Sequence, residues 1–88
     1  MVGAFGQAHP ADDKVRSLVQ QHTSDICQQL GADITGIEVI DYKTQVVAGT
    51  NYLIHAKLPS GQHIEIKIYE KLPCYGGETS VTSVTPHH

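Results

Sequence analysis

The sequence NYLIHAKLPSGQHIEIKIY, residues 51–69, contains the clearest indication of the fold. Both halves alternate between apolar and mostly polar residues, the pattern of β-strands that have one buried face and one face in water. The residues between the halves are Pro59, Ser60 and Gly61, which are typical of a turn. The stretch therefore predicts a β-hairpin, in which two antiparallel strands are joined by a short loop.

The register of this hairpin follows from the length of its loop. A three-residue loop with Gly61 in the left-handed conformation places Leu58 opposite Gln62. All the apolar side chains of both strands then share one face, whereas a two-residue loop would put the two apolar sets on opposite faces. We therefore predict the three-residue loop. The pairs it implies are Ala56 with Ile64, Ile54 with Ile66, His55 with Glu65, and Lys57 with His63.

Upstream of the hairpin, residues 12–30 have the period of an amphipathic helix. The side chains that recur at spacings of three and four are Val15, Leu18, Val19, His22, Ile26 and Leu30. Asp12 or Asp13 supplies negative charge to the first turn, and Gly31 stands where a left-handed C-cap residue belongs. We predict one helix over about residues 12–30.

Two further strands flank the hairpin in the sequence. Residues 37–43 are rich in β-branched side chains, but their alternation slips between Val39 and Ile40, as a β-bulge would require. A short last strand is predicted over about residues 79–85. A helix with one apolar stripe and a sheet with one apolar face bury each other, so the fold class is α+β, one long helix packed across a four- to five-stranded antiparallel sheet. We expect a single domain over residues 1–88, with residues 1–11 forming a flexible N-terminal arm.

Composition excludes several classes of function. The net charge of −3 and the six scattered Lys and Arg residues argue against nucleic acid as a partner. No apolar run approaches the roughly 20 residues that span a bilayer, and residues 1–6 have neither a charged nor an apolar signal region. Cys27 and Cys74 are too few for a disulfide framework. We expect both to be free thiols and the protein to be cytoplasmic.

One segment does not fit a plain fold, and it is QVVAG, residues 45–49. Hairpin tips usually carry Asn, Asp, Gly or Pro, but this one carries Val46 and Val47, which are stiff at χ1. One interpretation is that the valines continue a strand and Gly49 turns the chain. The other is a rigid, exposed apolar edge that enters a groove of a partner. The residues by themselves leave both open.

The run around this tip, YKTQVVAGTNY at residues 42–52, resembles the stefins, the intracellular type-1 members of the cystatins. Three other features of the chain agree with the resemblance. Gly3 lies in the N-terminal arm and is followed by Pro10-Ala11, Leu72-Pro73 matches the second hairpin of stefins, and a signal peptide and disulfide pattern are both missing. The resemblance covers nearly the whole chain.

The resemblance implies a tight, reversible, competitive inhibitor of papain-like cysteine proteases such as cathepsins, without a cofactor, a metal or a membrane partner. Inhibition would use a wedge made of the arm and two hairpins. The arm would bend at Gly3 and place Met1 and Val2 in the non-primed pockets. The first hairpin would cover the catalytic Cys–His pair, and the second would lie on the primed side. The implied contact residues are Val2, Gly3, Ala4, Gln45, Val46, Val47, Ala48, Gly49, Leu72 and Pro73.

Rival functions have less support in the sequence. An enzyme would need a metal or thiol site, but His55 and His63 are related only diagonally and no further ligand clearly converges on them, whereas zinc takes three or four. Cys74 has no evident partner base. A non-inhibitory binding or regulatory module on the same scaffold is the other alternative, because fold does not fix function. We expect a monomer whose valine-rich hairpin can open to give a domain-swapped dimer.

Overall fold

A computed structural model describes residues 6–72, 74 and 76–86 of the chain. Its elements are β1 (His9–Pro10), α1 (Asp13–Gln21), α2 (Thr23–Leu30), β2 (Glu38–Val47), β3 (Gly49–Lys57), β4 (His63–Glu70) and β5 (Thr79–Pro86). The strands form one antiparallel sheet in the order β1-β2-β3-β4-β5. The helical segments pack on one face of this sheet, which confirms the predicted α+β class.

The helix begins and ends where the sequence predicts. The side chain of Asp12 is the N-cap and accepts a hydrogen bond from the backbone N–H of Val15 at 2.9 Å. Gly31 is the C-cap with φ of 72°, a left-handed conformation in which its N–H reaches the last carbonyls of α2. Tyr42 of β2 donates its hydroxyl to the other carboxylate oxygen of Asp12 at 2.7 Å. The start of the helix is thereby fastened to the sheet.

The single long helix of the prediction is interrupted at one residue. His22 has φ of −107° and ψ of 18°, which separates α1 from α2. The Thr23 hydroxyl donates to the carbonyls of Val19 and Gln20 at 2.9 and 3.0 Å, a local competition that is known to disturb helices. The i→i−4 backbone bond from the N–H of His22 is still made. The two segments therefore run on as one irregular helix.

The decisive hairpin has the predicted register. The N–H of Leu58 donates to the Gln62 carbonyl at 2.8 Å, and Gly61 between them has φ of 94°. All the predicted pairs are present: Ala56 with Ile64, Ile54 with Ile66, His55 with Glu65, and Lys57 with His63. The three-residue loop is confirmed, and it lies at the end of the sheet opposite to residues 45–49.

The predicted bulge is also present, as a register shift between Val39 and Asp41 in the β2–β3 ladder. β2 is longer than the predicted 37–43, since it continues to Val47 at the hairpin tip. At its other edge β2 pairs with β1, where His9 lies opposite Tyr42. β1 falls within residues 1–11, the segment expected to be an arm.

One core lies between the helix and the sheet. It is made by apolar side chains from every element except β1, and its buried members are Val15, Leu18, Val19, Ile26, Tyr52, Ile54, Ala56, Leu58, Ile64, Ile66 and Ile68, with Val81 and Val84 of β5 packed against them. In the described part of the chain, no helix is long and apolar enough to span a membrane.

Candidate functional site

Three segments meet at one end of the sheet. The turn from β2 to β3 and the connection from β4 to β5 lie at this end because the strands alternate in direction. Residues before β1 run toward the same end, since the N–H of Gly6 donates to the carbonyl of Thr44 at 3.1 Å. The resemblance to stefins implied this grouping, and the antiparallel order of the strands supplies its geometric reason.

The first hairpin closes in a very tight tip. Val46 pairs with Thr50 and Val47 with Gly49, which leaves Ala48 alone at the turn. The side chain of Val46 is 73% exposed. Among the side chains that the structure describes, which do not include that of Val47, the exposed large apolar ones are Val46 and Leu72, and both lie at this end of the sheet. Both interpretations of the sequence hold in part, because the valines end β2 and Gly49 turns the chain, while the side chain of Val46 is exposed as an apolar edge.

Two contacts on the solvent-facing side of the sheet support the tip. Asn51 of β3 donates its side-chain amide to the Gln45 amide oxygen of β2 at 3.2 Å, which ties the two strands together below the turn. From β4, the hydroxyl of Tyr69 donates to the carbonyl of Ala48. The sequence contains no signal for this contact, because in the alternating pattern Tyr69 only occupies a polar-face position of its strand.

The second hairpin, between β4 and β5, is closed by its own contacts. The N–H of Lys71 donates to the Glu78 carbonyl at 2.8 Å, and the side chains of the two residues form an ion pair at 3.6 Å. The N–H of Gly77 donates to the carbonyl of Leu72, whose exposed fraction is 37%. Cys74 is exposed in the same loop. The predicted contact residue Pro73 lies outside the described residues.

The helix holds the base of this second hairpin. His22, expected to be packed or partly buried, is buried between Asp25, at 3.2 Å from Nδ1, and the Thr79 hydroxyl at 2.7 Å from Nε2. Thr79 is the first residue of β5, so this bridge connects the helix to one leg of the loop. At the other leg, Lys14 of the helix lies 3.5 Å from the Glu70 carboxylate. Both legs are thus anchored to the helix.

The third predicted segment falls largely outside the described residues, which do not include Met1, Val2, Gly3 and Ala4. The first described residue, Gly6, is hydrogen-bonded through its backbone to Thr44, three residues before Val47.

Comparison with known proteins identifies the family. Residues 6–86 match the family model described as Cystatin domain. The chain belongs to the cystatin family. Cystatin-A2 of Dictyostelium discoideum is 36% identical over 83 residues, 94% of this chain and 83% of that protein. Human Cystatin-A is 30% identical over 71 residues, 81% of this chain and 72% of that protein.

The names of the relatives also specify the type. Bovine Stefin-C is 24% identical over 82 residues, 93% of this chain and 81% of that protein. The resemblance to the stefin-type cystatins is thereby confirmed over most of the chain, and so is the expectation that the protein is of the protease-inhibitor type and not an enzyme.

One expectation about the histidines of this cystatin needs correction. His55 Nε2 and His63 Nδ1 are hydrogen-bonded at 2.7 Å, and a carboxylate oxygen of Asp41 lies 3.5 Å from His55 Nδ1. The predicted diagonal relation is present, since His55 pairs with Glu65 and His63 with Lys57. The carboxylate of Asp41 was not predicted, because the β2 bulge that brings Asp41 opposite His55 shifts the parity of the strand. Even so, the described residues contain no cluster of three or more such side chains arranged to hold a metal ion.

The two cysteines are free thiols and differ in their exposure to solvent. Cys27 is half-buried, and its sulfur lies 3.3 Å from the backbone nitrogen and 3.2 Å from the carbonyl oxygen of Ile34. It packs the end of the helix against the loop that follows, as expected for a small apolar side chain. Cys74 is exposed in the second hairpin.

Proposed function

We propose that this cystatin is a tight, reversible, competitive inhibitor of papain-like cysteine proteases of the cathepsin type. The observation that carries the proposal is the exposed apolar edge at one end of the sheet. Val46 at the end of β2 and Leu72 in the β4–β5 connection are exposed there, whereas the other large apolar side chains that the structure describes are buried or half-buried. Exposed apolar side chains grouped in this way are typical of protein–protein contacts.

The shape of the first hairpin suits a narrow cleft. Its tip is one residue wide, and the pairs below it keep both strands together at Val46 with Thr50 and at Val47 with Gly49. A paired hairpin loses little conformational entropy on binding, which favours affinity. A peptide substrate must instead lie extended across the nucleophile, so a closed tip can fill the cleft without presenting a scissile bond.

The other contacts of the proposed wedge are those of the arm and the second hairpin. Val2, Gly3 and Ala4 would lie along the non-primed side of the cleft, while Leu72 and Pro73 would lie along the primed side. The second hairpin is supported at both legs by the helix, and Leu72 is partly exposed beside it. In this proposal, Gln45, Val46, Val47, Ala48 and Gly49 make the central contact.

The setting we propose is that of a cytoplasmic monomer. The protein would act alone on one protease molecule, without a cofactor, and the dimer would form only when the hairpin exchanges between chains. A compact wedge with a few apolar anchors needs no second copy to complete its binding edge.

Steady-state kinetics with papain test the proposal. The initial velocity on a fluorogenic peptide is measured over a grid of substrate and inhibitor concentrations, and preformed complex is then diluted into substrate. We expect the apparent inhibition constant to rise linearly with substrate concentration, and activity to return on dilution. An inhibition constant that is independent of substrate, or activity that stays lost on dilution, contradicts this mechanism.

A further inference from the structure

The tip of the first hairpin, formed by β2 and β3, is hydrogen-bonded to a side chain of a third strand, β4. A hairpin of two strands can form without such a contact. Tyr69 lies in β4, opposite Asn51 of β3, and Asn51 in turn lies opposite Gln45 of β2. The three side chains form one row across the sheet just below the turn. Within that row the Tyr69 hydroxyl reaches past β3 and donates to the carbonyl of Ala48.

The neighbouring glycine makes room for this contact. Gly49 has φ of 130°, which side chains other than glycine rarely adopt. A Cβ at this position would lie 2.7 Å from the Tyr69 hydroxyl and 2.9 Å from its Cε1, and would also meet the backbone oxygen of Glu70. Gly49 therefore serves two purposes, since it turns the chain and lets the phenol ring of Tyr69 lie against the tip.

We propose that Tyr69 is a positioning residue of the inhibitory edge, which fixes the first hairpin in its binding conformation by holding the Ala48 carbonyl. The inference rests on the proposed function and adds to it a residue outside the QVVAG segment. Ala48 is the unpaired residue of the tip, so its carbonyl has no cross-strand partner to orient it. The hydroxyl of Tyr69 supplies one.

The expected effect is on association with the protease. Without the hydroxyl, the tip samples other conformations, and the apparent affinity falls by the fraction of molecules that remain competent. Loss of one neutral hydrogen bond corresponds to a factor of about three to ten. When the conformers exchange rapidly, this factor appears in the association rate constant. A lost direct contact with the protease would instead raise the dissociation rate constant.

The test compares Tyr69→Phe with Tyr42→Phe. Each change removes one hydroxyl and keeps the ring, but Tyr42 donates to Asp12 at the start of the helix, away from the tip. Association and dissociation rate constants with papain are measured by stopped flow for both variants. We expect association to slow about three- to tenfold for Tyr69→Phe only, with dissociation unchanged within about twofold.

Other outcomes would overturn the inference. Equal association rates for the two variants would show that the hydroxyl does not position the tip, and a faster dissociation alone would make Tyr69 a contact residue. If the wild-type chain does not inhibit papain, the proposed function is wrong. Amide hydrogen exchange at Gly49 and Thr50 then still tests the clamp, the hydrogen bond from the Tyr69 hydroxyl to the Ala48 carbonyl. Exchange there must be faster in Tyr69→Phe than in the wild type, and equal exchange refutes the clamp.

A second variant perturbs the same contact from the side of the glycine. Gly49→Ala keeps the phenol group, but its methyl group would meet the Tyr69 ring and the backbone oxygen of Glu70, at a φ that alanine rarely adopts. It should slow association at least as much as Tyr69→Phe. Unchanged association in Gly49→Ala would contradict the inference as well.

Discussion

Truncation of Val46 to alanine should weaken inhibition of the protease while leaving the free energy of unfolding almost unchanged. The change removes two methyl groups from a side chain that is 73% exposed in the free protein. At about 0.8 kcal/mol per buried carbon, and allowing for the part already covered, their burial under a protease contributes about 1–1.6 kcal/mol. The inhibition constant should rise by about 5- to 15-fold. The free energy of unfolding should change by no more than about 0.5 kcal/mol, because an exposed side chain gives up little on truncation.

Val19→Ala is the matched control for this variant. It removes the same two methyl groups from a side chain that is 3% exposed in the core. Loss of burial plus the cavity left behind should cost about 2–3 kcal/mol of stability, or a fall in Tm of about 8–20 °C. The folded fraction should nevertheless inhibit papain as well as the wild type at 25 °C, because Val19 lies far from the binding edge.

The assay measures both quantities on the same preparations. The inhibition constant is taken from steady-state velocities with papain, and Tm is taken from circular dichroism. Inhibition by Val46→Ala within about twofold of the wild type would show that the exposed valine is not a contact with the protease. A loss of stability as large as that of Val19→Ala would show that the tip belongs to the core.

Three further predictions concern the arm, the helix cap and the dimer. Deletion of residues 1–3 should weaken inhibition chiefly through faster dissociation, with Tm unchanged, because the arm adds contacts to a wedge that folds without it; an unchanged dissociation rate counts against the arm. The pKa of Asp12 lies below its ordinary value, first because the carboxylate accepts the Val15 N–H and then because it accepts the Tyr42 hydroxyl. Because the pKa of Asp12 is lower in the folded than in the unfolded state, its carboxylate stabilises the fold fully at pH values above the unfolded-state pKa of about 3.8. That stabilisation is lost as pH falls through the folded-state pKa. Asp12→Asn keeps a capping group without the charge, so its Tm should fall less than that of the wild type between about pH 5 and about pH 2.5, and equal falls would refute this. Heating or concentration should yield dimers, separable by gel filtration, that do not inhibit because the opened hairpin no longer forms the tip; fully inhibitory dimers would contradict this.

Side-chain periodicity determined much of the fold in advance. In residues 51–69 the alternation is strict enough that a three-residue loop, but not a two-residue loop, places Ile54, Ala56, Ile64 and Ile66 on a common face, and the structure has that register. The slip between Val39 and Ile40 likewise predicted the bulge in β2. Both predictions are confirmed because a shift of one residue would move every apolar side chain of the strand from the buried face to the solvent-exposed face.

The features that escaped prediction depend on backbone or rotamer geometry. β1 is too short to show a period, and it exists because the edge of β2 offers free backbone groups beside Tyr42. The helix irregularity at His22 depends on how the Thr23 hydroxyl is oriented. The contact of Tyr69 with Ala48 joins residues 21 positions apart through one particular tyrosine rotamer. Composition and spacing contain no signal for such contacts.

For the site, the sequence supplied the residues but not their support. The resemblance to stefins named Val46 and Leu72, and both are exposed at the same end of the sheet. It did not indicate that the helix anchors the second hairpin through His22 and Thr79, because that bridge joins residues 57 positions apart. The motif thus predicted the exposed residues of the binding edge, whereas the contacts that support them are visible only in the three-dimensional structure.

We propose that the closed end of the sheet blocks the active site of a papain-like protease. Titration of active papain at micromolar concentration with the purified chain measures this blockage. Residual activity should fall linearly and reach zero at one molecule of inhibitor per active site. Full residual activity at equimolar protein would contradict it.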